Sequence, residues 1–325
     1  MALDPIDEAH ALQIQAGALG RKAGHRFEDT IAASVNAAVY PIPVRERKLP
    51  TLAVGDPAAL LVRYVAATLG YEEVRKASAI STGALATSEE GLRWLSINGV
   101  NVSRCKSDLV MTVKSDDGRS TTVGVSTKQC NNVAPTNAQL YFTTAQGFGN
   151  LLRRGGIEIS NAALVSLRQF CGESGFRPAD DAAAMAGRVV DPRRYFWEEV
   201  GTDGRAELEA MLAGHQDAVT RLLLQKAYID DPFIPEFLLH KTKKSAAWPL
   251  TEVAIYSIDD LIRRSGRYQG FATRAYSVRK GSHKDPPGVH HLAPRFGIVQ
   301  MQRGGQKQHP EQLQFNLEAG YFYKL

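Results

Sequence analysis

The sequence predicts an α/β protein. Helical, Ala- and Leu-rich segments lie on either side of a strand pair at about 106–129. Beyond residue 250 short strand-like runs mix with turns, giving a C-terminal α+β part. The 325 residues are 44% hydrophobic and 22% charged, an ordinary globular balance, and suffice for one large domain or two modest ones. No apolar run approaches the roughly 18–20 residues that a membrane span needs. The N-terminus lacks the basic-then-apolar pattern of a secretory signal. Three scattered cysteines, Cys105, Cys130 and Cys171, make no disulfide framework and no CxxC zinc pair. A reducing cytoplasm is the expected setting.

The elements follow in order. Residues 8–39 read as helix, which the prolines of 41–50 end. Residues 56–76 read as a second helix, with Asp56 as N-cap and Pro57 at its first position. A short helix is expected at 88–95, with Thr87 and Glu90 at capping-box spacing. Strands follow at 106–113 and 120–129, joined by the turn Asp116-Asp117-Gly118. Residues 137–153 return to helix, ended by Gly155–Gly156, and 158–171 are apolar and of either type. Residues 178–195 read as a loop or short helix, and 205–228 as helix. Strands are expected at 252–257, 271–279, 295–303 and 311–323.

The hairpin is where chemistry collects. A three-residue loop with Gly118 left-handed pairs Ser115 with Arg119 and places Asp108 opposite Ser126. Lys128 then shares the face of Ser126, because side chains alternate with period two. Leu109, Met111, Val113, Val123 and Val125 take the other, apolar face. An Asp and a Lys side by side are either a structural ion pair or a phosphate-hydrolysing site. In the second case the carboxylate binds a hard cation and the ammonium orients water or stabilises charge on phosphorus. Glu28 lies in GRKAGHRFEDTIAASV, three residues before Ile31 and seven before Val35, on the inward stripe of its helix. A carboxylate there is either a metal ligand or an acid at the stripe margin paired with Arg26 or Lys22.

Taken together, Gly24-His-Arg-Phe-Glu28, Ser107-Asp108-Leu-Val, and Val123-Gly-Val-Ser126-Thr-Lys128-Gln129 resemble the PD-(D/E)XK nuclease superfamily. The resemblance covers roughly residues 20–155. It implies a restriction-endonuclease-like core with a mixed central sheet flanked by helices, and magnesium (Mg2+)-dependent phosphodiester cleavage. Asp108, Ser126 and Lys128 fall on the catalytic positions. The motif proline is Ser107, and the acid before the lysine is Ser126, a weak and neutral ligand. Some type II restriction endonucleases resemble this pattern and take the missing carboxylate from a helix. By that analogy Glu28 joins Asp108 at the metal, with Glu89, Glu90 and Glu158 as rivals.

Charge points the same way. Net charge is +5, but residues 1–100 hold ten basic and eleven acidic groups, whereas 241–325 hold fourteen and six. Residues 261–307 carry ten Lys and Arg against the single acid Asp285, interleaved with Tyr268, Phe271 and Tyr276. Such a segment suits phosphate neutralisation, and Arg and Gln can read base edges. Arg274, Arg279, Lys280 and Arg303 are the chosen DNA contacts; Gln300, Gln302, Gln306, Gln308, Gln312 and Gln314 add amides. His283, His290, His291 and His309 show no metal-ligand spacing and suit loop or phosphate contacts. No P-loop and no GxSxG elbow is present. The expectation is a bacterial type II restriction endonuclease, a homodimer cutting double-stranded DNA at a palindromic site. A repair, junction-resolving or phage nuclease, and a non-catalytic DNA-binding protein, are the alternatives. A nuclease core at 1–175 and a basic DNA-contacting region at 176–325 complete the organisation.

Overall fold

The computed structural model describes residues 25–46, 49–83, 95–102, 105–225, 230–245, 248–279, 283–304 and 311–325. The expected helix at 88–95, Glu89, Glu90, Lys280, Gln306, Gln308 and His309 lie wholly or mainly outside them. Two compact units interleave along the chain, where the sequence suggested a linear division. One comprises the described residues up to 138 together with 224–262 and 319–325; the other comprises 139–223 and 263–318.

The first unit is built on a seven-stranded sheet: β1 (Ile42–Pro43), β2 (Leu52–Gly55), β3 (Glu73–Ser81), β6 (Leu109–Ser115), β7 (Ser120–Gln129), β9 (Pro235–Lys241) and β10 (Thr251–Ser257). The order is β1-β3-β6-β7-β9-β10-β2. The β7–β9 pair is parallel and the others antiparallel, so the expected mixed sheet is present. Helices α1 (25–37) and α2 (Pro57–Thr68) cover one face. Ile31, Val35, Leu61 and Val65 there join Leu109, Met111, Val113, Val123 and Val125 in one buried core. The β4 (Leu95–Ile97) and β5 (Val100–Val102) hairpin brings Ile97 and Val102 against Val110, whose side chain points the opposite way from that core.

Helix α2 starts as its sequence dictates. Asp56 accepts from Ala58 N at 2.9 Å and Pro57 opens the first turn. It stops at Thr68 and not at residue 76. Gly70 turns left-handed (φ +71°), and 73–81 becomes β3, with Val74, Ala77 and Ala79 buried. Its long ladder with β6 overrides the local helix propensity of the alanines.

The hairpin forms in the expected register. Gly118 is left-handed (φ +88°), Ser115 N donates to Arg119 O at 2.9 Å, and Leu109 pairs with Val125. Strand β9 was not foreseen, because a short apolar run such as Phe237-Leu-Leu-His240 has no period that distinguishes strand from buried helix.

The second unit holds a five-stranded sheet of order β11-β12-β13-β14-β8: β8 (Ala138–Thr144), β11 (Phe271–Tyr276), β12 (His291–Phe296), β13 (Val299–Arg303) and β14 (Gln312–Leu317). The expected helix 137–153 therefore begins only at Ala145. Thr144, with its side chain accepting from Gly147 N, caps α3 (Ala145–Arg154), and the residues before it are strand. The ambiguous apolar segment is α4 (Asn161–Cys171), capped by Ser160 and ended by left-handed Gly172. The 205–228 segment contains two helices, α5 (Thr202–Gly214) and α6 (Gln216–Gln225), separated at His215. Expected strand 295–303 is instead parts of β12 and β13, turned at Gly297 (φ +53°). Phe148 packs on Phe315 and Phe170 on Trp197 in this unit's core.

Candidate active site

The site residues gather at one end of β6–β7, in the first unit. Asp108 stands just before β6. Its Oδ2 accepts from Thr127 N at 2.6 Å and from Ser126 Oγ at 3.1 Å, and lies 3.6 Å from Lys128 Nζ. Lys128 Nζ donates to Ser126 Oγ at 2.9 Å and to Thr127 O at 2.7 Å. Ser126 Oγ thus gives its hydrogen to the carboxylate and receives one from the ammonium. The Asp108 side chain remains 31% exposed and that of Lys128 17%. Asp, Ser and Lys occupy the same end of the hairpin, as its register requires.

Glu28 reaches this end from α1. It is 8% exposed, and its Oε1 accepts from Thr127 Oγ1 at 2.9 Å. Thr127 therefore ties two carboxylates together, holding Asp108 by its main-chain amide and Glu28 by its hydroxyl. Glu28 Oε2 lies against Gly83, where an added Cβ would come within 3.2 Å of it. Burial, then the nearby Asp108 charge, push the Glu28 carboxyl up to about 8, while Thr127 and Lys128 pull it down.

A second lysine borders the cluster. Burial and the charge of Lys128 push the Lys106 ammonium down to about 8, against Asp108 and Asp231. On β9, His240 pairs across from Lys128 and is held by Tyr321 Oη at 3.2 Å. Burial and Lys128 push its pKa down to about 3, so it packs as a neutral ring. Sequence reading missed Lys106, Thr127 and Asp231. Lys106 and Thr127 were legible as neighbours of the motif positions, whereas nothing in the local pattern flags Asp231.

Two carboxylates with mutual repulsion, one almost buried, form a donor set that suits a cation. Magnesium typically takes one or two carboxylates and completes its shell with water and phosphate oxygens. Among the described residues no group of three or more His, Cys, Asp or Glu forms a metal cage. The rival Glu158 lies in the second unit, 3.8 Å from Arg153 with an 80% exposed side chain.

The basic residues of the second unit divide. Arg274 on β11 and Arg279 beyond it are exposed. Arg303 is not presented in that way: its side chain is 10% exposed and lies 3.6 Å from the buried Asp191 carboxylate. His291 is buried, stacked on Phe196, and bonded to Glu198 at 2.8 Å and Asp285 at 3.2 Å. It is a packing histidine, and Asp285, the acid of the basic segment, is turned inward with it.

Among solved structures, the chain is similar to restriction endonuclease MspI, determined in complex with its cognate DNA. The match covers 80% of this chain and 78% of that one, at 11% identity and a TM-score of 0.45. No family of known sequences and no curated protein matches the chain. No described helix is long and apolar enough to cross a membrane.

Proposed function

We propose that this protein is a magnesium-dependent endonuclease that cleaves double-stranded DNA at a specific palindromic site, in the manner of type II restriction endonucleases. The observation that carries this reading is the anchoring of Asp108 and Glu28 on Thr127, with Lys128 beside them. A structural ion pair needs no second, nearly buried carboxylate held at electrostatic cost.

Asp108 and Glu28 would hold the ion. Asp108 Oδ2 is turned to Ser126, Thr127 and Lys128, leaving Oδ1 without a hydrogen-bond partner among the described residues. Magnesium, when bound, supplies charge to a phosphate oxygen and acidifies water. Lys128 contributes what a metal ligand cannot. Its ammonium is held by Ser126 and the Thr127 carbonyl at a fixed place next to Asp108, ready to orient the attacking water and to face the charge that develops on phosphorus. Ser126 keeps both groups aligned. Arg274 and Arg279 would meet phosphates, and a homodimer would match a two-fold site.

The test is digestion of plasmid DNA with and without magnesium. Discrete fragments that require the ion are the expected result. Cleavage confined to branched DNA would replace this reading with a junction-resolving one. Binding without cleavage would leave a DNA-binding protein.

A further inference from the structure

Asp108 is held from outside its own hairpin. The segment 105–108 that leads into β6 runs beside 231–234, which leads into the parallel strand β9. Asp231 uses both carboxylate oxygens here: Lys106 N donates to Oδ2 at 2.6 Å and Phe233 N to Oδ1 at 3.0 Å. The Phe233 carbonyl accepts in return from Ser107 Oγ at 2.6 Å and Cys105 Sγ at 3.6 Å. Gly124 in β7 permits this approach, since a Cβ there would overlap both Ser107 Oγ and the Ile234 carbonyl oxygen. Just beyond β3, Thr82 Oγ1 donates to Ser107 O at 2.5 Å and Thr82 N to Asp108 O at 3.0 Å. Asp108 N donates to Val125 O at 2.9 Å. The backbone on both sides of Ser107 is thus pinned, and Asp231 supplies the one carboxylate among these bonds.

We propose that Asp231 is a positioning residue for Asp108. Each of its oxygens already accepts from an amide, so it acts on the chain two residues before Asp108 and not on the cation. Only a carboxylate offers two equivalent acceptors at this place; an asparagine offers one oxygen, and its NH2 would face a donor. By fixing Lys106 N relative to Phe233 N, Asp231 sets the direction of the Asp108 carboxylate toward Thr127 N. The consequence for catalysis rests on the nuclease reading above, but the positioning is a property of the metal-free fold.

The experiment compares wild type, Asp231→Asn and Asp231→Ala as full chains. Amide hydrogen exchange without metal reads the geometry directly, because Thr127 N–H is the donor to Asp108 Oδ2. In Asp231→Ala, exchange at Thr127 is expected to rise about tenfold or more, with the Val123 amide in the middle of β7 unchanged. In cleavage, kcat at saturating magnesium is expected to fall up to about 100-fold, with KM for DNA unchanged. Asp231→Asn keeps one acceptor and should fall between, and it carries the test if Asp231→Ala does not fold. Unchanged Thr127 exchange in a folded variant overturns the proposal. If wild type cleaves no DNA, the nuclease reading fails while the exchange comparison still decides the positioning role.

Discussion

Glu28 offers the sharpest test, because its burial and its proposed use pull in opposite directions. Its carboxyl is raised from 4.5 to about 8, by burial first and by the Asp108 charge second. An acid whose folded pKa lies above its unfolded value stabilises the fold fully below the unfolded value. That contribution is lost as pH rises through the folded value. Between about pH 4.5 and pH 8 the metal-free protein should therefore lose roughly 1.4 kcal/mol per pH unit from this group, reaching a few kcal/mol. Glu28→Gln is nearly isosteric and can still accept from Thr127 Oγ1, but it cannot ionise. Urea unfolding in EDTA at pH 5 to 9 should show the variant and wild type converging at the acid end. The variant should become the more stable of the two by a few kcal/mol at pH 8–9. Magnesium should reverse the order: the ion neutralises the Glu28 charge in wild type and finds only the Asp108 carboxylate in the variant. The magnesium concentration for half-maximal cleavage should accordingly rise sharply in Glu28→Gln. Parallel stability curves across this pH range, or an unchanged magnesium requirement, would refute the argument.

Other outcomes follow from the same geometry. Asp108→Ala should abolish cleavage while leaving fold and DNA binding in place, since the side chain is partly exposed and its loss removes few packing contacts; calorimetry and gel-shift measurements check both. Lys128→Ala should lose most activity with magnesium binding little changed, because an ammonium is not a metal ligand. Lys128→Arg should not restore it, since the guanidinium is too large for the bonds to Ser126 Oγ and Thr127 O. Arg274→Ala and Arg279→Ala should each reduce the salt dependence of DNA binding by about one unit of slope. Arg303→Ala should instead lower stability, because it strips a buried partner from Asp191.

The hairpin was legible because its signals are local. The turn Asp116-Asp117-Gly118 specifies a loop length, the loop length specifies the register, and the register carries Asp108 to Ser126. Glu28 was legible for a similar reason: helical spacing from Ile31 and Val35 fixes its face. What escaped the sequence depends on distant pairing. β3 follows a good helix and shares its alanines, and only its ladder with β6 makes it a strand. β8 looked like the start of α3, since nothing before Thr144 marks a cap until the neighbouring strand is known. Strand β9 and Asp231 come from more than 100 residues beyond the hairpin. The interleaving of the two units has the same origin, because the sheets are completed by segments far apart in the chain. Arg303 was read from charge alone, and the acid beside it, Asp191, lies in another stretch.

Ser126 shows how the geometry changes the reading of a motif. The resemblance drawn from the sequence leads one to expect an acid there, and a neutral residue suggests a ligand lost. In the structure it is 3% exposed, and its hydroxyl does what a carboxylate cannot, donating to Asp108 while accepting from Lys128. An acid at that position would place a third negative group beside Asp108 and Glu28, in a place where Glu28 is already hard to ionise. Glu28 stands on α1, on the other side of Thr127, and accepts from its hydroxyl.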